Sequence, residues 1–210
     1  MKDLNQTLRA NLAASAEMHA RLTELARPLQ QATEMVRDAL VGGHKLLCCG
    51  NGGSAGDAAH LSSEFVNRYC DDREGFPAMD LSADHNVVTA MVNDYPPQDL
   101  FARQVRAFGR QGDVLVVFSS SGKSPNIVNA LKEGRRQGLG TIAFLGKGGG
   151  LCLGLADVEL VVPSAVTARV QEGHLMLYHT LCEAIDEDLI QAGRQRMGGG
   201  GTASLGPKLT

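Results

Sequence analysis

Lys45–Glu64 reads KLLCCGNGGSAGDAAHLSSE, and this stretch decides the fold. Leu46, Leu47, Cys48 and Cys49 form an apolar run without polar alternation, which suits a strand buried on both faces. Gly50, Gly52, Gly53 and Ser54 follow, a turn whose missing side chains let backbone amides come close to a ligand. The Ala-rich helical segment after it carries His60 and Glu64, four residues apart and so on one helix face. Strand, glycine turn and helix start make an anion site, because unpaired N–H groups and the helix dipole both favour negative charge. With an acid–base or metal-type pair one to two turns further in, the segment points to chemistry on a phosphorylated small molecule.

Working outward, strand and helix signals alternate. A short strand is expected at Ala78–Leu81, then a helix to about Val92 capped by Ser82 or Asp84, with Asn93–Pro97 as a loop. DVLVVF at Asp113–Phe118 is the clearest buried strand, and the serine loop Ser119–Ser124 and a helix over about 125–137 follow it. Further strands are expected at Thr141–Gly146 and Asp157–Pro163, separated by the glycine-rich stretch Lys147–Gly154, before a last helix over about 167–191. This order predicts an α/β fold, a doubly wound parallel sheet whose ligands sit at the strands' C-terminal ends. Upstream, Leu4, Leu8, Leu12, Met18, Leu22 and Leu25 mark a helix over about 3–26, Pro28 is expected to break it, and a second helix runs over about 30–41. Two helices ahead of the first strand make an N-terminal helical arm, able to cover a sheet face or to pair with another subunit. Residues 1–191 read as one domain, and 192–210, ending GGGGTASLGPKLT, as a flexible tail.

Composition narrows the function. Hydrophobic residues make up 43% of the 210, enough for a sizeable core, while aromatics are 4% with no Trp. Base-stacking platforms are therefore not expected, and a net charge of −3 without Lys/Arg runs argues against nucleic acid. No apolar stretch reaches the ~18 residues that span a bilayer, and the polar N-terminus lacks a signal-peptide core. Cys48, Cys49, Cys70, Cys152 and Cys182 are odd in number without a CxxC, which reads as small core residues of a cytoplasmic protein.

Three motifs compete for the chemistry. Gly50–Ala55 fits G-x-G-x-x-A between strand and helix, but the ribose-binding acid expected about 20 residues on is missing from a strand end. Asp71 and Asp72 lie at that distance in a loop, and Asp80 comes too late. Gly122-Lys123-Ser124 resembles the end of a P-loop, yet the glycine needed five residues earlier is Val117. What remains, SSSGKS, offers hydroxyls, amides and a lysine at a helix start, which suits one phosphate monoester. Ordinary helix capping by Ser124 is the plain alternative. His60 and Glu64 form either a hydrogen-bonded pair or half of a site completed by the last helix. That helix offers Gln171, His174 and His179, and N and O ligands on two helices can hold a divalent cation such as Zn²⁺. Spacing does not choose between His174 and His179.

CGNGGSAGDAAHLSSE, VNDYPPQDLF, SSSGKS and ARVQEGHLMLYH, in this order over residues 1–191, resemble the motifs of the phosphoheptose isomerases within the SIS (sugar isomerase) family. The resemblance implies a flavodoxin-like sheet and a homotetramer with active sites shared between subunits. It implies an aldose–ketose isomerase of sedoheptulose 7-phosphate that begins heptose synthesis for surface polysaccharide. Asn51, Gly52, Gly53, Asn93 and Asp94 are then sugar contacts, and Ser119, Ser120, Ser121 and Ser124 hold the phosphate. His60, Glu64, Gln171 and His179 are implied ligands of one Zn²⁺ per subunit, Glu64 and Gln171 also touch substrate, and Glu64 and His179 are the acid–base pair. Two positions depart from the common pattern, Ser120 for Thr and Lys123 for Asn, and both keep phosphate-compatible chemistry. A rival reading is a non-catalytic SIS protein, a phosphosugar-sensing regulator or a partner of a replication initiator. Partners of that initiator do not keep the Glu and His matching Glu64 and His179.

Overall fold

Five parallel strands in the order β2-β1-β3-β4-β5 form the centre of the computed structural model, which describes residues 3–198. The strands are β1 (Leu46–Gly50), β2 (Ala78–Asp80), β3 (Val114–Ser119), β4 (Gly140–Leu145) and β5 (Val158–Val161). Register is continuous, with Cys48 opposite Asp80 on one side and opposite Val116 on the other. The helices are α1 (Leu4–Arg21), α2 (Ala26–Val41), α3 (Gly53–Val66), α4 (His85–Asp94), α5 (Leu100–Phe108), α6 (Pro125–Arg136) and α7 (Thr167–Gly198). The expected flavodoxin-like order is therefore present, and strand order reverses between β1 and β3.

Alternation within the buried strands explains why both faces are covered. Leu46, Cys48, Val116, Phe118, Ile142 and Phe144 enter one core with side chains of α2, α3 and α7. Leu47, Cys49, Leu115, Val117, Ala143 and Leu145 enter the other, against α5 and α6. Phe118 and Phe144 stack at 4.7 Å between ring centres on the first face. Each such side chain, fully buried, contributes about 1.5–3 kcal/mol.

Several boundaries differ from the expectation. Pro28 does not break the N-terminal helices: it sits in the first turn of α2, where its missing N–H is not required, and the break is a 3₁₀ turn at Leu22–Leu25. Asp84, not Ser82, caps α4, accepting from Asn86 and Val87, and α4 runs on through Asn93 and Asp94. The last helix passes the expected end at 191 and continues to Gly198, so the flexible tail expected over 192–210 begins as helix. Residues 199–210 lie outside the described residues.

The helical arm divides in two. Met18 and Leu22 join the core, and α1 is tied to α7 where Arg169 donates to the Asn11 carbonyl at 3.0 Å and Ser15 to Glu172 at 2.8 Å. Leu4, Leu8 and Leu12 are exposed, Leu4 at 79%. Cys48, Cys49, Cys152 and Cys182 are buried and unpaired as expected, whereas Cys70 is exposed. Among the described residues no helix is long and apolar enough to cross a membrane.

Candidate active site

Two loops leave the sheet where its order reverses, the position at which open α/β sheets take their ligands. The glycine turn follows β1 and starts α3 without any side-chain cap; the Ser54 and Ala55 amides turn back to the Asn51 and Gly52 carbonyls at 3.1 and 3.0 Å. Gly52 takes φ 58° and ψ −121°, a backbone conformation that side chains disfavour. At Gly53 the missing side chain serves contact instead: a Cβ there would lie 2.1 Å from Nε2 of Gln171, which reaches over from α7. Gln171 thereby packs on the glycine turn, in the wall of a cavity of about 450 Å³ that it shares with Asp57, His60 and Tyr178.

The serine loop follows β3. Ser119 is buried and accepts from the Gly122 amide at 3.1 Å, and Ser121 accepts from the Lys123 amide at 3.2 Å. Gly122, at φ 62°, is pressed against the glycine-rich 3₁₀ stretch Lys147–Cys152, where a Cβ would lie 1.8 Å from the Gly149 carbonyl. Cys152 donates to the Gly122 carbonyl at 3.0 Å, so that stretch buttresses the loop. Ser124 precedes α6 and makes no capping hydrogen bond, which removes the plain capping alternative and leaves its hydroxyl for a ligand. Ser124 lines a second cavity of about 330 Å³ together with Asn51 and Asn126. The amides of Asn51 and Asn126 bond each other reciprocally at 2.9 Å, joining the glycine turn to the start of α6.

The acid–base and metal-type residues converge where α3 meets α7. Nε2 of His60 lies 2.9 Å from Oε1 of Glu64, and Nε2 of His179 lies 3.4 Å from Nε2 of His60. Ligand atoms of His60, Glu64 and His179 all fall within 4.8 Å of one another. Two imidazole nitrogens and a carboxylate oxygen are a donor set suited to Zn²⁺ with a position left open for another ligand, so the residues fit that ion. Burial first, and the neighbouring His60 second, hold His179 below the ordinary histidine pKa, which favours the neutral ring that a cation or a proton requires.

Of the two histidines that spacing left open, His179 meets His60 and Glu64 and His174 does not. His174 is fully buried and its Nε2 lies 3.1 Å from the Leu145 carbonyl, a packing contact behind the cavity. Its Nδ1 faces Oδ2 of Asp57 at 3.8 Å, and neither of these buried atoms has a hydrogen-bond partner. Asn93 and Asp94 are not brought to the cluster: Asn93 donates to Asp94 at 2.7 Å at the end of α4, and both lie outside the two cavities. Sequence reading did not single out Asp57, Asn126 or Tyr178. Asn126, two residues after Ser124, is the one that the motif itself could have flagged.

Comparison with known proteins gives this geometry a family. A model described as SIS domain matches residues 12–146. The phosphoheptose isomerase of Alteromonas mediterranea is 42% identical over 191 residues, 89% of this chain and 96% of that protein. That of Shewanella frigidimarina is 45% identical over 174 residues, 81% and 88% of the two chains. Among solved structures, phosphoheptose isomerase GmhA from Neisseria gonorrhoeae superposes with a TM-score of 0.83 at 38% identity, covering 88% of this chain and 100% of that one. The phosphoheptose isomerase from Francisella tularensis gives 0.85 at 32% identity, covering 88% and 99%. The chain is an α/β protein of the SIS domain family. Within that family it belongs with the phosphoheptose isomerases.

Proposed function

We propose that this chain interconverts sedoheptulose 7-phosphate and D-glycero-D-manno-heptose 7-phosphate by proton transfer through an enediol. The observation that carries the reading is the meeting of Glu64 with His60 and His179 beside a cavity walled by Gln171. An aldose–ketose isomerisation needs a base beside a carbon-bound proton and an acid beside the oxygens. Glu64 is the base, moving the proton between C1 and C2, and His179 handles the proton on the oxygens. Glu64 and Gln171 contact the sugar, with Asn51, Gly52 and Gly53 at the turn, whereas Asn93 and Asp94 lie apart from both cavities in this chain. Ser119, Ser120, Ser121 and Ser124 hold the phosphate at the α6 N-terminus, and that remote binding energy orients the sugar for proton transfer. His60, Glu64, Gln171 and His179 would hold one Zn²⁺, which when bound would supply electrostatic stabilisation to charge developing on the sugar oxygens.

Exposed Leu4, Leu8 and Leu12 support assembly of the arm with other copies, as a homotetramer whose active sites are shared. The reaction opens nucleotide-activated heptose synthesis for surface polysaccharide in the cytoplasm. A non-catalytic phosphosugar-binding role is disfavoured, because binding alone does not call for a Glu64–His179 pair.

Conversion in D₂O tests the chemistry. Solvent deuterium entering the product at the carbon that receives the proton is expected. Turnover with complete retention of the substrate's hydrogen would overturn the enediol route.

A further inference from the structure

Tyr178 precedes His179 on α7, is 1% exposed, and points its hydroxyl at Nδ1 of His60 across 2.8 Å. The two rings meet edge to face, 5.4 Å between centres and 75° between planes. The His60 side chain is itself 42% exposed. Its Nε2 faces Glu64 and His179. A neutral imidazole that offers Nε2 as a lone pair carries its hydrogen on Nδ1, and that N–H needs an acceptor. The Tyr178 oxygen, 2.8 Å from Nδ1, is that acceptor. Because a hydroxyl both donates and accepts, it also serves the other tautomer, in which Nε2–H points at Glu64.

We propose that Tyr178 is a positioning residue that pins the His60 ring and assigns Nε2 as its metal-facing atom. The proposal rests on the reading of His60, Glu64 and His179 as ligands of a divalent cation, and it assigns a role to a side chain outside that set. Ligating histidines commonly hand their second ring nitrogen to a carboxylate, carbonyl or water, and loss of such a partner costs about 10–100-fold in metal affinity. Here a buried phenol fills that place.

The test titrates Zn²⁺ into the full-length protein against a competing chelator. Wild type, Tyr178→Phe and His179→Ala are compared, with no turnover involved. The expected result is tight binding by wild type, its loss in His179→Ala, and an affinity about 10–100-fold weaker in Tyr178→Phe. Wild-type affinity in Tyr178→Phe would overturn the proposal while leaving the metal site intact. Absence of Zn²⁺ binding by wild type would remove the metal reading itself, and the proposal with it. Should Tyr178→Phe fold poorly, ring ¹⁵N NMR of Zn²⁺-loaded wild type decides, with His60 assigned by loss of its signals in His60→Gln. A metal-bound Nε2 with hydrogen on Nδ1 supports the proposal, and a metal-bound Nδ1 overturns it.

Discussion

Nε2 of His60 and Nε2 of His179 face each other across 3.4 Å, brought together from two helices that are 119 residues apart in sequence at these positions. Two ring nitrogens at that separation cannot both present lone pairs without a proton or a cation between them. Glu64, 2.9 Å from the first nitrogen, supplies the negative charge that favours either occupant. The pair therefore links a structural fact to proton or metal chemistry without reference to any relative.

Replacing Glu64 by Gln keeps the side chain's size and removes its basicity. If Glu64 is the base, kcat falls by about 10²–10⁴ while the sugar phosphate still binds. Steady-state kinetics beside a direct binding measurement check this. Near-normal turnover by the variant would remove the assignment.

The serines are separable. Ser119 accepts from the Gly122 amide and so holds the loop's shape, whereas the Ser124 hydroxyl caps nothing. Ser124→Ala is expected to raise KM with little change in kcat or thermal stability. Ser119→Ala is expected to lower stability as well, by about 1 kcal/mol for one lost hydrogen bond. An unchanged KM in Ser124→Ala would move the phosphate elsewhere.

Exposed leucines on the first three turns of α1 make the oligomer testable. Equilibrium sedimentation of wild type is expected to give a tetramer, and Leu8→Glu with Leu12→Glu a smaller species. A stable wild-type monomer at micromolar concentration would contradict the shared-site assembly.

Strands and loops were legible because their signals are local. The apolar runs at Leu46–Cys49 and Val114–Phe118 leave no polar face, and glycine or serine turns follow each. What escaped depends on how helices cross. Gln171, His174 and His179 share a broad face of α7, and only its packing on α3 buries His174 beside Asp57 and turns His179 to Glu64. Tyr178 carries no local signal of its own, because its partner, His60, lies 118 residues away. Pro28 misled because a proline that ends one helix and one that opens the next look alike in sequence; the 3₁₀ turn at Leu22–Leu25 decides. Asn93 and Asp94 look like loop residues because Pro96 and Pro97 follow just after Tyr95, yet they close α4.

Glu133 gives a pH dependence away from the site. Its carboxylate is held down to about 2 from an ordinary 4.5, chiefly by hydrogen bonding to Arg136, with burial opposing and Arg106 and Gln137 assisting. A depressed carboxylate contributes stability that is present above the unfolded value and is lost as pH falls through the folded one. The stability difference between wild type and Glu133→Gln should therefore be full at neutral pH and narrow between about pH 5 and pH 2. Urea midpoints across that range measure it. A constant gap would show that the ion pairs to Arg106 and Arg136 contribute nothing to folding.

Isomerisation of a phosphorylated ketose at the proposed His60, Glu64, Gln171 and His179 site can be followed as it happens. The most direct measurement is NMR of purified protein with sedoheptulose 7-phosphate, with and without chelator and added Zn²⁺. Formation of the aldose, lost on chelation and restored by Zn²⁺, is the predicted result. Tight binding of the sugar phosphate with no aldose formed, whether or not Zn²⁺ is added, would contradict it.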